Sequence, residues 1–395
     1  MRASADADTS DPFARYRLVG TVMALLVLIV GAIELWNNWR SPGARDFISF
    51  WGAAQLAIHG RPELAYDLPT LHQVQSAVAD FGPGTAKMPF PYLPAFLLLV
   101  LPFAFLPFPV AMAAWVVATG GLYLFAMQRL VPRAGLLPLA FPPVVVNLAI
   151  GQNGLLTAAM FAASMAALPR NAFVAGLVAG CFVIKPQLAL LLPIAFLAAR
   201  MWSAIAGAAL SAAAVLLIGL VAFGPQASQA WLDQLPLYGA IARDGSVGWL
   251  QFSSVFAAAR QAGFDSPAAL AVHFIVAAGA AAAVWFAWRS PASHMAKAAV
   301  LAAATALASP YLFLYDQVLL VIPLLWLAQT RRDSVAVPIL WLLPIAVIAA
   351  HYASAAVPNI APLLPIALLV LLFAEIRSAQ KKEAAASFDA AAPIH

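Results

Sequence analysis

"PYLPAFLLLVLPFAFLPFP", residues 91 to 109, decides how the chain is threaded, because whether it crosses a membrane sets the side on which everything after it falls. It carries five prolines around a short apolar core. A spanning helix needs about 20 apolar residues, and interior prolines remove hydrogen-bond donors and kink the backbone. The stretch fits a re-entrant or interfacial helix as an alternative to a full span, and the charges that follow it decide between the two. Working outward, 64% of the 395 residues are hydrophobic and 9% are charged, and the mean hydropathy is +0.90. That balance excludes a soluble globular domain. Helices satisfy their own backbone in lipid, and no alternating ten-residue segments of a barrel are present, so the fold class is an all-α polytopic membrane protein.

Candidate spans lie near 18–37, 110–128, 134–150, 154–168, 172–184, 187–199, 203–223, 267–288, 296–310, 314–329, 335–352 and 361–375, about 12 in all, with 11 and 13 as alternatives. With 91–109 kept from crossing and the N-terminus cytoplasmic, Arg129/Arg133, Arg170, Arg200, Arg289/Lys297, Arg331/Arg332 and Arg377/Lys381/Lys382 all fall on one side, which the positive-inside rule makes cytoplasmic. Two long loops, 38–109 and 224–266, then face outward, the first carrying interfacial helices. The expected organisation is a cytoplasmic tail 1–17, a single transmembrane domain 18–375, and a disordered cytoplasmic tail 376–395. Segment 18–37 is too long for a signal-peptide core and is followed by no small-residue cleavage pattern, so it reads as a retained helix in a plasma (inner) membrane. Short 172–184 and 187–199 suit broken helices around a cavity. The net charge of +5 reports topology and implies no nucleic acid. Cys181 alone can build neither a disulfide nor a cysteine metal site.

Charge and aromatics concentrate in the first outer loop. In "RDFISFW", Asp46 opens a helix with Phe47, Phe50, Trp51, Ala54 and Ile58 on one face, Trp51 at headgroup depth. The plain reading of Asp46 is an N-cap worth about 1 kcal/mol; the chemical reading is a carboxylate held where a lipid headgroup meets a polar acceptor. Asp67 in "RPELAYD" is equally a candidate cap, and His59 and His72 read as interfacial side chains. In "KMPFPYLP", Lys87 and Tyr92 precede the re-entrant stretch, where a lysine can simply snorkel. In "GQNG", residues 151 to 154, a turn accounts for the glycines but not for Gln152 and Asn153, whose side chains can bind sugar hydroxyls. Lys185 in "VIKPQ" stands on the outer side, where the charge bias disfavours it. Binding a lipid phosphate is its natural role, with Arg45 and Lys87 behind it. "SPYLFLYDQ" adds Tyr311, Tyr315 and Asp316 at the outer end of a span.

The stretches "DFISFWGAAQLAIHGRPELAYD", "FPYLPAFLLLVLPFAFLP", "GQNGLL", "AGLVAGCFVIKPQLALLLP" and "SPYLFLYDQVLLVIPLL", in that order, resemble glycosyltransferase family 87, the polyprenol-phosphate-mannose-dependent mannosyltransferases of the type C fold. The resemblance covers about residues 18 to 375. It implies an aspartate of the first outer loop as catalytic base, by position Asp46. A histidine near the outer end of a late helix, used by some members, has no counterpart in the matching stretch, which offers Tyr315 and Asp316. The implied reaction moves a hexose, mannose by the resemblance, from a polyprenyl-phosphate sugar to a lipid or glycan acceptor on the outer side. The leaving phosphate needs no acid, so one base suffices and the anomeric configuration inverts. No cofactor or metal cluster is evident, divalent-metal dependence stays open, and the expected partners are the bilayer, the lipid-linked donor and the acceptor. The competing class is a secondary transporter or lipid flippase, which would collect ionisable groups at the midplane with repeat symmetry. A scaffold without chemistry would leave Lys185 and "GQN" unexplained.

Overall fold

The computed structural model describes residues 11–43, 45–82, 88–245, 248–331, 334–353 and 357–391. Among them the chain is helical, with no strand and only two isolated bridges, Gly43 with Asp80 and Phe252 with Phe313. In chain order the helices are α1 (Ala14–Arg40), α2 (Phe47–Ile58), α3 (Leu68–Ser76), α4 (Ala95–Val100), α5 (Phe108–Leu130), α6 (Pro143–Ile150), α7 (Gly154–Ala167), α8 (Ala172–Gly180), α9 (Leu192–Ala198), α10 (Trp202–Asp244), α11 (Val255–Gln261), α12 (Ser266–Arg289), α13 (His294–Ala308), α14 (Val321–Thr330), α15 (Ala336–Ala353) and α16 (Leu363–Ala391). Five of them, α1, α5, α10, α12 and α16, are long and apolar enough to cross a membrane alone. The chain is a multi-pass membrane protein. The other apolar segments form shorter or broken helices.

Proline explains the breaks. In 91–109, α4 has six residues before Pro102 opens a 3₁₀ turn, Leu101–Phe105. Both ends of the segment touch the same helix: Ser49 Oγ donates to Pro89 O at 2.6 Å, and Trp51 Nε1 to Leu106 O at 3.0 Å. Gln55 Nε2 also donates to Ala104 O at 2.6 Å. Residues on both sides of the break, Pro89 and Ala104 to Leu106, therefore pack against α2. Likewise 134–150 is a 3₁₀ turn, Leu137–Ala140, followed by the eight-residue α6, and α8 and α9 meet through two 3₁₀ turns that flank Lys185. At roughly 1.5–2.0 Å per residue, each arm of that hairpin reaches only about 20 Å, so its apex lies within the protein.

α2 is covered by other parts of the protein: Phe47 to Ala54 are all buried, because the helix is apolar on every side and packs against α3, α4, α5 and the 3₁₀ turn Leu101–Phe105. The tail expected to be disordered from 376 continues α16 as far as Ala391, in keeping with its Ala, Lys and Glu content. The second long loop also carries structure. α10 kinks at Gly224 (φ 79°, ψ 168°) before Pro225, and its outer half reaches over the re-entrant segment, where Trp231 Nε1 donates to Pro91 O at 3.3 Å and Tyr238 OH to Phe90 O at 3.0 Å.

α1 and α5 run about 35–40 Å from the Asp46 end to an end where Arg17 pairs with Asp11 and donates to Arg133 O at 3.3 Å. Arg170, Arg200, Arg289 and Arg331 terminate helices or turns that run from the Asp46 end to that same far end, and Arg331 pairs there with Glu375 at 2.8 Å. Arg17, Arg133, Arg170, Arg200, Arg289 and Arg331 thus lie at the end away from Asp46, while Arg40, Arg45 and Lys185 stay on the Asp46 side.

Candidate active site

Aromatic packing fixes the start of α2. Phe47 stacks on Phe108 (6.2 Å, 18°) and approaches Trp115, while Phe50 meets Tyr92 and Phe96 edge-on at 5.3 and 5.2 Å. These contacts hold Asp46 against the turn that follows α6. Gly151 in that turn has φ +70°, and a Cβ there would stand 2.6 Å from Phe47 Cβ. At Gly154 a Cβ would meet Asn147 Oδ1 and Tyr315 O, both at 2.5 Å. Both glycines of "GQNG" are therefore demanded by close approach, one to α2 and one to the segment carrying Asp316.

The residues between the glycines make the connection. Asp46 sits at the N-terminus of α2 but accepts no capping hydrogen bond there; its Oδ2 accepts from Gln152 Nε2 at 2.8 Å. Gln152 Oε1 accepts from Asn153 N–H at 3.2 Å, Asn153 Oδ1 accepts from Lys185 Nζ at 3.0 Å, and Lys185 Nζ donates to Asp316 Oδ1 at 2.6 Å. Lys185 Nζ also lies 4.7 Å from the centre of the Tyr315 ring, which stacks on Phe313. Gln152, Asn153 (through both its main-chain N–H and its side chain) and Lys185 thus link the two aspartates by hydrogen bonds. Tyr92 and Tyr315 stand close enough to feel the charges of both.

The two carboxylates differ in access. Asp316 is 3% exposed and ion-paired, whereas Asp46 is only half-buried and has one hydrogen-bond partner. Burial raises the Asp46 carboxyl above the ordinary range, partly opposed by the Gln152 hydrogen bond and the Arg45 charge. The site thus holds a carboxylate made more basic by its surroundings.

Residues 90–310, more than half of the chain, match the family model described as glycosyltransferase family 87. The chain belongs to glycosyltransferase family 87. No curated protein and no solved structure matches it. Membership in the family makes it a membrane glycosyltransferase. The matched stretch contains Gln152, Asn153 and Lys185, while Asp46 precedes it and Asp316 follows it.

The remaining expected residues are distributed differently. Lys185 is 2% exposed, with its ammonium engaged by Asn153, Asp316 and the Tyr315 ring, so it is not an open cation. Arg45 pairs with Glu34 at 2.8 Å and keeps about a third of its side chain exposed, beside Asp46. Lys87 lies outside the described residues. Trp51 is buried in the aromatic core with its indole N–H on Leu106 O. Asp67 is exposed and caps α3, accepting from Thr70 N–H at 2.9 Å. Tyr311 packs edge-on to Phe256 of α11, 6.4 Å between ring centres, in a separate small cluster. An open recess of about 630 Å³ borders the site loop, lined by Arg40, His72, Asp80 and neighbouring residues, and Asp46 is not among them. Among the described residues no group of three or more His, Cys, Asp or Glu stands together as metal ligands would.

Two contributors escaped the sequence reading. Glu34 is the only acid within the first apolar segment, a signal that marks an intramembrane carboxylate as functional. Asn147 interrupts "FPPVVVNLAI" and donates from Nδ2 to Tyr315 O at 2.9 Å, tying α6 to the Asp316 segment.

Proposed function

We propose that the protein transfers a hexose, mannose by the family resemblance, from a polyprenyl-phosphate sugar to a lipid or glycan acceptor at the extracytoplasmic face of the plasma (inner) membrane, with inversion and with Asp46 as base. The observation that carries this reading is the state of Asp46: a carboxylate free of capping duty, held by one side-chain hydrogen bond and more basic than usual. The acceptor hydroxyl attacks the anomeric carbon as its proton passes to Asp46, while the carbon–oxygen bond to phosphate breaks and its electron pair leaves with the phosphate. Asp316, buried against Lys185, is the supporting partner of the pair.

The cation facing the departing phosphate is Arg45, next to Asp46 and partly exposed; a guanidinium suits phosphate oxygens and can serve Glu34 with another edge. Lys185 reaches the donor only if Asp316 releases it. The arginines at the far end, Arg17, Arg133, Arg170, Arg200, Arg289 and Arg331, support an extracytoplasmic site, because short loops rich in arginine stay cytoplasmic. Alignment of donor and acceptor supplies most of the acceleration.

The test is to incubate the purified protein in liposomes with labelled polyprenyl-phosphate mannose and membrane lipid or glycan acceptors, and to analyse the products. Label covalently joined to acceptor supports the reading. Label carried across the bilayer with no covalent product favours the transporter or flippase and ends it.

A further inference from the structure

We infer that Gln152 is a positioning residue for the Asp46 base, holding carboxylate oxygen Oδ2 so that Oδ1 is presented to the acceptor hydroxyl. This rests on the assignment of Asp46 as base and gives Gln152 a different role from binding sugar. Four observations carry it. Gln152 Nε2 donates to Asp46 Oδ2 at 2.8 Å. Its amide cannot be turned the other way, because Oε1 already accepts from Asn153 N–H and would otherwise face a carboxylate oxygen. The turn bearing it is pressed onto Phe47, the residue after Asp46, at a distance only glycine permits at 151. Gln152 is 9% exposed, so the donor is not shared freely with water.

A carboxylate with one oxygen fixed has one left for the incoming proton, and a hydrogen bond to the ionised form favours that form. The charged and titratable groups around Asp46 are Arg45 with its partner Glu34 from α1, Tyr92 ahead of α4, and Tyr315 of the segment before α14; the Lys185–Asp316 pair lies beyond Asn153. None of them replaces the Gln152 donor. Removing it leaves burial less opposed, so Asp46 holds its proton to higher pH.

The experiment compares wild type with Gln152→Met, which keeps length and loses the donor, and Gln152→Glu, which adds a negative charge. Infrared titration of the protonated carboxyl band, identified by its loss in Asp46→Asn, reads Asp46 without any substrate. Both variants should move that midpoint upward. In transfer assays with polyprenyl-phosphate mannose, Gln152→Met should lose about tenfold in kcat on the acid side and recover toward wild type at alkaline pH, at nearly constant KM. An unmoved midpoint, or a loss confined to acceptor KM at every pH, overturns the inference. If Asp46→Asn is fully active, the base assignment itself fails; if it is inactive while Gln152→Met leaves the midpoint in place, only the role of Gln152 fails.

Discussion

Lys185 and Asp316 stabilise the protein as partners and endanger it singly. Both are almost wholly buried, and removing one member of such a pair strands a charge at a cost of about 3–5 kcal/mol, whereas replacing both by apolar groups of similar size is often tolerated. Lys185→Met should therefore lower unfolding stability in detergent by several kcal/mol, and Lys185→Met with Asp316→Leu should recover most of it. Additive losses would show that the two act independently. At Gly151, alanine meets both a positive φ, worth about 1–2 kcal/mol, and Phe47; Gly151→Ala should depress the melting temperature and uncouple the loop from α2. Because Asp46 is raised by burial, wild-type transfer should fall as pH drops through its elevated titration range, an acid limb that sits above that of a free aspartate. At this scale the sequence named Asp46, Gln152, Asn153, Lys185 and Asp316 as residues needing a reason. It could not show that they form one chain of hydrogen bonds, since Gln152 and Asp46 are joined only by folding. Nor could it tell that Asp67 caps a helix while Asp46 does not, because both look alike locally.

Helices and turns carry the next level of the account. Proline density made the break in 91–109 legible, as short apolar length did the breaks around Lys185. What could not be read was what covers α2: an apolar helix of twelve residues at the start of a polar loop suits a membrane surface as well as a buried position, and only the re-entrant segment decides. The contact between Gln55 and Ala104 gives a direct check. In a protein lacking Cys181, Gln55→Cys with Ala104→Cys should join through a short bifunctional thiol reagent, detected by mass spectrometry of linked peptides. Absence of a link under conditions that label both cysteines would mean that 91–109 leaves α2 for the opposite side.

At the scale of the whole molecule, six arginines from Arg17 to Arg331 lie at one pole, and the two aspartates with their amide bridge, together with Arg45 and Lys185, lie at the other. The segregation was plain in the sequence, although the number of full crossings was not, because broken segments share their apolar composition with spans. Single cysteines at Ser41 and Asp265 should react with an impermeant thiol reagent from outside intact cells, and those at Arg170 and Arg289 only after lysis; the reverse pattern would invert the orientation. The most direct test of the central claim is transfer from labelled polyprenyl-phosphate mannose by Asp46→Asn, purified and shown to melt as wild type does. The account predicts that covalent transfer disappears. Activity within about threefold of wild type would contradict it.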